Sequence, residues 1–353
     1  MKPLIPSSMR RILIIRLSSI GDIVLTTPVL RVLRRQYPDL VIDYLVKEQF
    51  QSLITAHPAV DTVHTISKDF SFGDLLRLRQ YVQTSGKYDA IIDLHDNLRS
   101  RVLTTGGKLP YVRYDKQRFY RWLYVYWKKR TPAIETYITD RYFDALAPFE
   151  ISNDEQGLEF YFPQDFQYND PSVRDEVEEF HATGNPVTLA LGAAWATKEW
   201  LPERFGDVAN QLINQYSASI ALIGGPDDRH LVEPIQSRVT DKTHLYNFIG
   251  RTSLLESAKI LEGTQLHLAN DSGFTHIATA FKKKVIVVLG STAMPIVFYP
   301  KYTAHELVAD STLGCRPCTH MGRKKCPLGH FKCMNNIETE QVLAAYNRLT
   351  GDG

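Results

Sequence analysis

Apolar residues in this chain fall into short continuous runs, separated by stretches where they recur every three or four positions. Residues 11–16 (Arg-Ile-Leu-Ile-Ile-Arg) place four aliphatics between two arginines, the pattern of a parallel strand buried on both faces. A turn, Ser18-Ser19-Ile20-Gly21-Asp22, follows it. Val24, Leu25, Val29, Leu30 and Leu33 then form the stripe of a helix to about residue 37, and Thr27-Pro28 suits a start or kink within it. The same alternation predicts strand 40–46, helix 47–56, strand 61–66, helix 72–85 and strand 88–94. It restarts with strand 187–192, a helix whose first position is Pro202, and strand 218–223 ending at Gly224-Gly225-Pro226-Asp227-Asp228. A helix, strand 244–248, helix 253–262, a strand-turn-helix at 264–281, strand 284–289 and a final helix at 338–349 complete it. Strands alternating with helices predict an α/β fold of two tandem Rossmann-like, doubly wound domains. The span 150–186, rich in acids, Asn, Pro and Gly, holds the boundary, giving domains 1–165 and 166–353. Ligands are expected at the carboxyl ends of the strands, in an interdomain cleft.

Composition narrows the class. The 353 residues include no apolar run near the ~20 residues a membrane-spanning helix needs, and the N-terminus lacks a signal peptide's apolar core. A cytoplasmic protein is expected. The net charge is only +2, but residues 1–150 carry 23 Lys+Arg against 15 Asp+Glu and the remainder 18 against 24. That asymmetry, +8 beside −6, suggests an anionic partner for the first half.

Candidate chemistry follows strand ends. Leu266, Leu268 and Ala269 close a strand, and Phe274, Ile277, Ala278 and Phe281 open a helix, so Asp271-Ser272-Gly273 forms a turn suited either to capping the helix or to holding phosphate. Asp22, just past the first strand, is a candidate general base, or a first-turn Asp facing the helix dipole. Lys198, in the loop Gly192–Trp200, can neutralise a departing diphosphate. Asp228 can hydrogen-bond a ribose or cap a helix. No Gly-x-Gly-x-x-Gly follows the first strand, which argues against a dehydrogenase.

Residues 111–130 interleave Arg113, Lys116, Arg118, Arg121, Lys128, Lys129 and Arg130 with Tyr114, Phe119, Tyr120, Trp122, Tyr124, Tyr126 and Trp127. Without an RNA-binding or helix-turn-helix pattern, and with so small a net charge, nucleic acid is not the expected partner. A cationic and aromatic helix suits an anionic membrane surface or a phosphorylated acceptor. Its alternative is a solvated helix with aromatics in the core. All four cysteines, Cys315, Cys318, Cys326 and Cys333, lie in one segment whose spacing approaches a structural zinc site, with reduced thiols the alternative and a disulfide behind both.

Together the motifs resemble those of the ADP-heptose:lipopolysaccharide heptosyltransferase family. The resemblance rests on Ile12–Leu30, Lys198-Glu-Trp-Leu-Pro202, Gly224-Gly225 with Asp228, and Asn270-Asp-Ser-Gly-Phe-Thr-His276, in family order. It implies a GT-B type glycosyltransferase that inverts the anomeric centre and requires no metal or other cofactor for catalysis. By position it implies Asp22 as base, Lys198 against the donor phosphates and Asp228 near the nucleoside. Asp271, Ser272, Gly273 and His276 would line the diphosphate site. The donor would be an ADP-sugar and the acceptor an anionic, lipid-linked glycan. Arg118, Arg121 and Lys128-Lys129-Arg130 would face that acceptor or the inner leaflet of the membrane. The sequence departs from the pattern at Ala193 and Ala194, where ADP-heptose users carry hydroxyl residues, and at Asp228, a place often held by Glu. Rival expectations are a same-fold transferase with another donor or a protein or capsule acceptor, and a non-catalytic, membrane-associated nucleotide-binding protein. Catalysis is expected to depend on domain closure.

Overall fold

The computed structural model describes residues 9–351 and divides the chain into two compact units, residues 1–118 with 136–164, and 119–135 with 165–353. The chain therefore leaves the first unit at residue 119, contributes a short excursion to the second, and returns before leaving again.

The first unit is built on a parallel sheet of β1 (Arg11–Ile15), β2 (Val41–Lys47), β3 (Thr62–Ile66), β4 (Ala90–Asp93) and β5 (Tyr111–Arg113), ordered β3-β2-β1-β4-β5. The aliphatics of β1 are almost wholly buried, as a central strand covered on both faces requires. The helix expected after β1 is two helices, Ile20–Val24 and Thr27–Gln36, with Pro28 in the first turn of the second. Proline at that position gives up only a donor that lacks an intrahelical acceptor. The helix expected at 47–56 is instead a 3₁₀ segment, Glu48–Leu53.

The second unit holds β6 (Pro186–Ala190), β7 (Ser219–Ile223), β8 (Leu245–Asn247), β9 (Leu266–Asn270), β10 (Lys284–Val288) and β11 (His305–Val308). All are parallel, in the order β11-β10-β9-β6-β7-β8. Its two apolar layers lie on opposite faces of this sheet. One gathers Leu189, Trp200, Phe205, Leu222 and Tyr346; the other gathers Phe180, Ala190, Ile223, Phe248 and Val287. Alternate residues of a pleated strand point to opposite faces, which is why neighbours such as Leu189 and Ala190 divide between the layers.

In each sheet the order reverses once, between β1 and β4 in the first and between β6 and β9 in the second. Helices that follow the two strands at such a point lie on opposite faces, so the loops at the carboxyl ends part and leave a crevice. Asp22 follows β1, and Lys198 and Asp271 follow β6 and β9.

Candidate active site

In the second unit the expected residues on either side of the reversal meet. The Lys198 Nζ lies 2.6 Å from Asp271 Oδ2, and both side chains are largely sheltered from solvent. The loop carrying Lys198 is fixed by its neighbours. Trp200 is buried, its indole N–H donating to the Ile337 carbonyl at 3.0 Å and its backbone N–H to Asn270 Oδ1 at 3.0 Å. The Asn270 amide donates in turn to the Leu191 carbonyl. One side chain at the end of β9 thus joins the end of β6 to the loop that follows it. On the other flank, Thr197 accepts from the Arg323 N–H at 2.8 Å and from the Ser291 hydroxyl at 2.8 Å, both on its Oγ1.

The turn Asp271-Ser272-Gly273 does not cap its helix through a side chain. The helix spans Phe274–Ala280, Gly273 is its N-cap, and no side-chain cap hydrogen bond is made. The Ser272 hydroxyl is buried without a hydrogen-bond partner among the described residues. Asp271 is engaged elsewhere, with Lys198 and with the Thr292 hydroxyl at 3.2 Å. Of the two expectations for this turn, side-chain capping is absent. A sheltered cation beside an unsatisfied hydroxyl can receive an anion with further acceptor oxygens. His276 is buried in the first turn of the helix.

Asp228 accepts from the Gly225 N–H at 2.8 Å, closing the 3₁₀ turn Pro226–Leu231. A Cβ at Gly192 or Gly224 would fall 2.2 Å or 2.6 Å from its carboxylate, so glycine is needed at both for the acid to sit there. Burial raises the Asp228 pKa, against the pull of the Gly225 N–H.

In the first unit Asp22 sits in the opening turn of Ile20–Val24. Its Oδ1 lies 2.5 Å from Arg16 Nη2, and its Oδ2 accepts from the Ser19 N–H at 3.1 Å and the Ser19 hydroxyl at 2.8 Å. Burial works to raise its pKa, but Arg16 and Ser19 outweigh it and hold the carboxyl at about 2. Arg16, as an arginine closing a strand, has the sequence signature of a solvated flank. It is buried, donates to the Ser18 and Leu94 carbonyls, and lies over the rings of Tyr114 and Tyr142.

The cationic segment 118–130 is used differently from the expected display. Helix Arg118–Trp127 turns Tyr124 and Val125 inward against Ile134 and Ile296. Arg121 donates to the Ile296 carbonyl at 2.8 Å and covers the Phe298 ring, and Lys128 donates to the Val125 and Pro317 carbonyls. Arg118 lies 3.2 Å from Asp96 and Arg130 3.2 Å from Glu135, while Lys129 is exposed. The cations are chiefly fastenings, and what the helix presents outward is aromatic. Phe119, Trp122, Tyr126 and Trp127 are 64, 47, 61 and 71% exposed.

The four cysteines are unpaired thiols. Burial pushes Cys333 up to about 11, whereas four backbone N–H groups from Leu328 to Phe331 outweigh burial at Cys326 and hold it below its ordinary value. Among the described residues no group of three or more His, Cys, Asp or Glu side chains is placed to hold a metal ion, so this arrangement does not fit the zinc expectation. The segment's visible contacts are structural. Arg316 donates to the carbonyls of Leu289, Gly290 and Thr292 at the end of β10, and the Cys318 N–H to Ser291.

Comparison with known proteins identifies the family and the fold. The model of glycosyltransferase family 9 (heptosyltransferase) matches residues 75–329. Lipopolysaccharide heptosyltransferase 3 of Escherichia coli (strain K12) is 26% identical over 93% of this chain and 95% of its own. Among solved structures, a glycosyl transferase family 9 protein from Veillonella parvula superposes with a TM-score of 0.73 at 21% identity, covering 98% of each chain. ADP-heptose lps heptosyltransferase II of E. coli superposes with a TM-score of 0.67 at 18% identity, over 96% of this chain and 98% of its own. The fold is that of the GT-B heptosyltransferases, two parallel-sheet α/β units.

Proposed function

The chain belongs to glycosyltransferase family 9, and from that premise we propose that it transfers heptose from ADP-heptose to a hydroxyl of a lipopolysaccharide core, with inversion. The meeting of Lys198 with Asp271, beside the unsatisfied Ser272 hydroxyl, is the observation that carries this reading. The acceptor hydroxyl gives its proton to the Asp22 carboxylate, and its oxygen bonds to the anomeric carbon from the face opposite the nucleotide. The bond from that carbon to the diphosphate oxygen breaks, and its electron pair leaves with ADP. Lys198 balances the growing charge, Ser272 and the Gly273 end of the helix receive phosphate oxygens, and Asp228 lies toward the nucleoside. Asp271, itself anionic, serves by holding Lys198 in place rather than by meeting the diphosphate.

Incubation with ADP-heptose and a deacylated core oligosaccharide is expected to release ADP and add one heptose to the acceptor by mass. ADP is expected to raise the melting temperature more than UDP, GDP or CMP. Stabilisation by another nucleotide in place of ADP would sink the donor assignment and favour a same-fold transferase with a different donor, as Ala193 and Ala194 suggest.

The acceptor is lipid-linked in this reading, and the outward aromatics of Arg118–Trp127 suit a peripheral contact with the inner leaflet. Indole and phenol rings partition to the interface between headgroups and acyl chains, and Lys129 adds attraction to anionic lipid. No described helix is long and apolar enough to cross a membrane. Replacing Trp122 and Trp127 together with Ser is expected to weaken sedimentation with phosphatidylglycerol vesicles on the order of tenfold, leaving transfer to the deacylated acceptor intact. Equal sedimentation would remove the contact.

A further inference from the structure

Four strand ends of the first sheet converge near Asp22. Lys47 ends β2, the Arg16–Asp22 pair follows β1, His95 follows β4 and Lys116 follows β5. The backbone ties these ends together: the Lys47 N–H donates to Leu17, the Leu94 N–H to Ile15, and the Tyr114 N–H to Asp93. Asp93 accepts from the backbone N–H groups of His95 and Asp96 at 3.0 and 2.9 Å, which fixes the course of the chain at His95.

Among the described residues, charge at this edge does not balance. Asp22 is matched by Arg16, Asp93 by Arg113 at 2.8 Å, and Asp96 by Arg101 and Arg118 at 2.8 and 3.2 Å. The half-buried side chain of Lys116 has no ion pair or hydrogen bond among the described residues. His95 is 7% exposed, and its Nδ1 is buried without a partner among the described residues. Sheltering a cation and an imidazole nitrogen in this way costs free energy that no hydrogen bond or ion pair to them among the described residues offsets. A ligand with an acid and a hydroxyl would offset it.

We propose that Lys116 and His95 form the subsite for an acidic group of the acceptor sugar, Lys116 pairing with a carboxylate or phosphate and His95 bonding a neighbouring hydroxyl. The proposal rests on the reading of Asp22 as the base, beside which the acceptor must lie. It explains why the edge accumulates cations that a neutral sugar would not require. The protonation states agree. Burial, then Arg16 and Lys116, hold His95 near 3, so its imidazole is neutral. Burial and Arg16 bring Lys116 to about 8, with Arg118 also lowering it and Asp96 and Asp22 opposing. An anion there favours the charged form, so acceptor binding weakens as pH rises through about 8.

The test is calorimetric binding of a deacylated lipopolysaccharide core oligosaccharide to the full chain without donor, using untreated, dephosphorylated and carboxyl-reduced preparations. Lys116→Met is expected to raise Kd for the untreated acceptor about 10- to 100-fold. It should add nothing for whichever treated acceptor has lost the group, which identifies carboxylate or phosphate. Lys116→Arg should keep affinity and remove the loss above pH 8, and His95→Leu should weaken binding more than His95→Gln. An unchanged Kd for Lys116→Met, or an equal loss with all three acceptors, overturns the subsite. Asp22→Asn, measured alongside, should bind the acceptor but not transfer to it. Active Asp22→Asn removes the base reading, whereas inactive Asp22→Asn with indifferent Lys116→Met removes the subsite alone.

Discussion

Asp22→Asn is expected to lower kcat by about 10²- to 10⁴-fold, the range a positioned general base contributes. The amide keeps the shape of the carboxylate and its contact with the Ser19 N–H but cannot take the proton. With its pKa at about 2, the native carboxylate is ionised throughout the working range, so the pH profile of kcat/KM should show no acid limb from this group above about pH 4. Such a carboxylate is a weak base toward a free alcohol. It becomes adequate when the forming bond makes the hydroxyl acidic, so proton transfer should run late in the displacement. The substitution also strips Arg16 of its counter-charge. Breaking a fully buried ion pair costs about 3–5 kcal/mol; this one costs less, because the Asp22 side chain is 23% exposed. Melting temperature and far-UV circular dichroism therefore accompany the kinetics. An Arg16→Met, Asp22→Asn double variant should recover stability without recovering turnover. Near-normal turnover by a folded Asp22→Asn would end the assignment.

Lys198→Ala is expected to lower kcat by about 10²- to 10³-fold, the loss typical when one group stabilising transition-state charge is removed, and to weaken ADP binding measured by calorimetry. The compact ammonium sits 2.6 Å from Asp271 in a loop held by Trp200 and Thr197. The broader guanidinium of Lys198→Arg should not restore full activity there. Asp271→Asn should cost less, because it frees the lysine without removing it. Unchanged ADP affinity and kcat in Lys198→Ala would exclude the residue from the site.

Long buried strands were legible because both faces are covered, so β1, β7 and β10 are nearly uninterrupted aliphatic runs. β5 and β11 were not. β5 has three residues, of which only Val112 is buried, and the first three of β11 are half-exposed, so neither carries a periodic signal. Helix Pro171–Ala182 lay hidden in the acid-rich span read as a boundary, although Asp170 and Pro171 make an ordinary helix start. Asp22, Lys198 and Asp271 could be named because residues after strand ends are where such folds place ligands. That Lys198 answers to Asp271 could not be read, since the pairing depends on β6 lying beside β9 across 73 positions of chain. Arg16 and His95 were missed for a related reason. Each matters through what it lacks or faces in space, and single positions in a sequence do not record that.

The fastening of the Lys198 loop bears on how the nucleotide is held over time. A loop already tied at Trp200, Thr197 and Asn270 loses little conformational entropy when a diphosphate arrives, so little binding free energy goes into ordering it. On the proposed donor site, spent ADP would meet the same tied loop as the intact donor. On that reading, residence of the product, rather than recruitment of the substrate, is the expected point at which this part of the protein sets the pace of turnover.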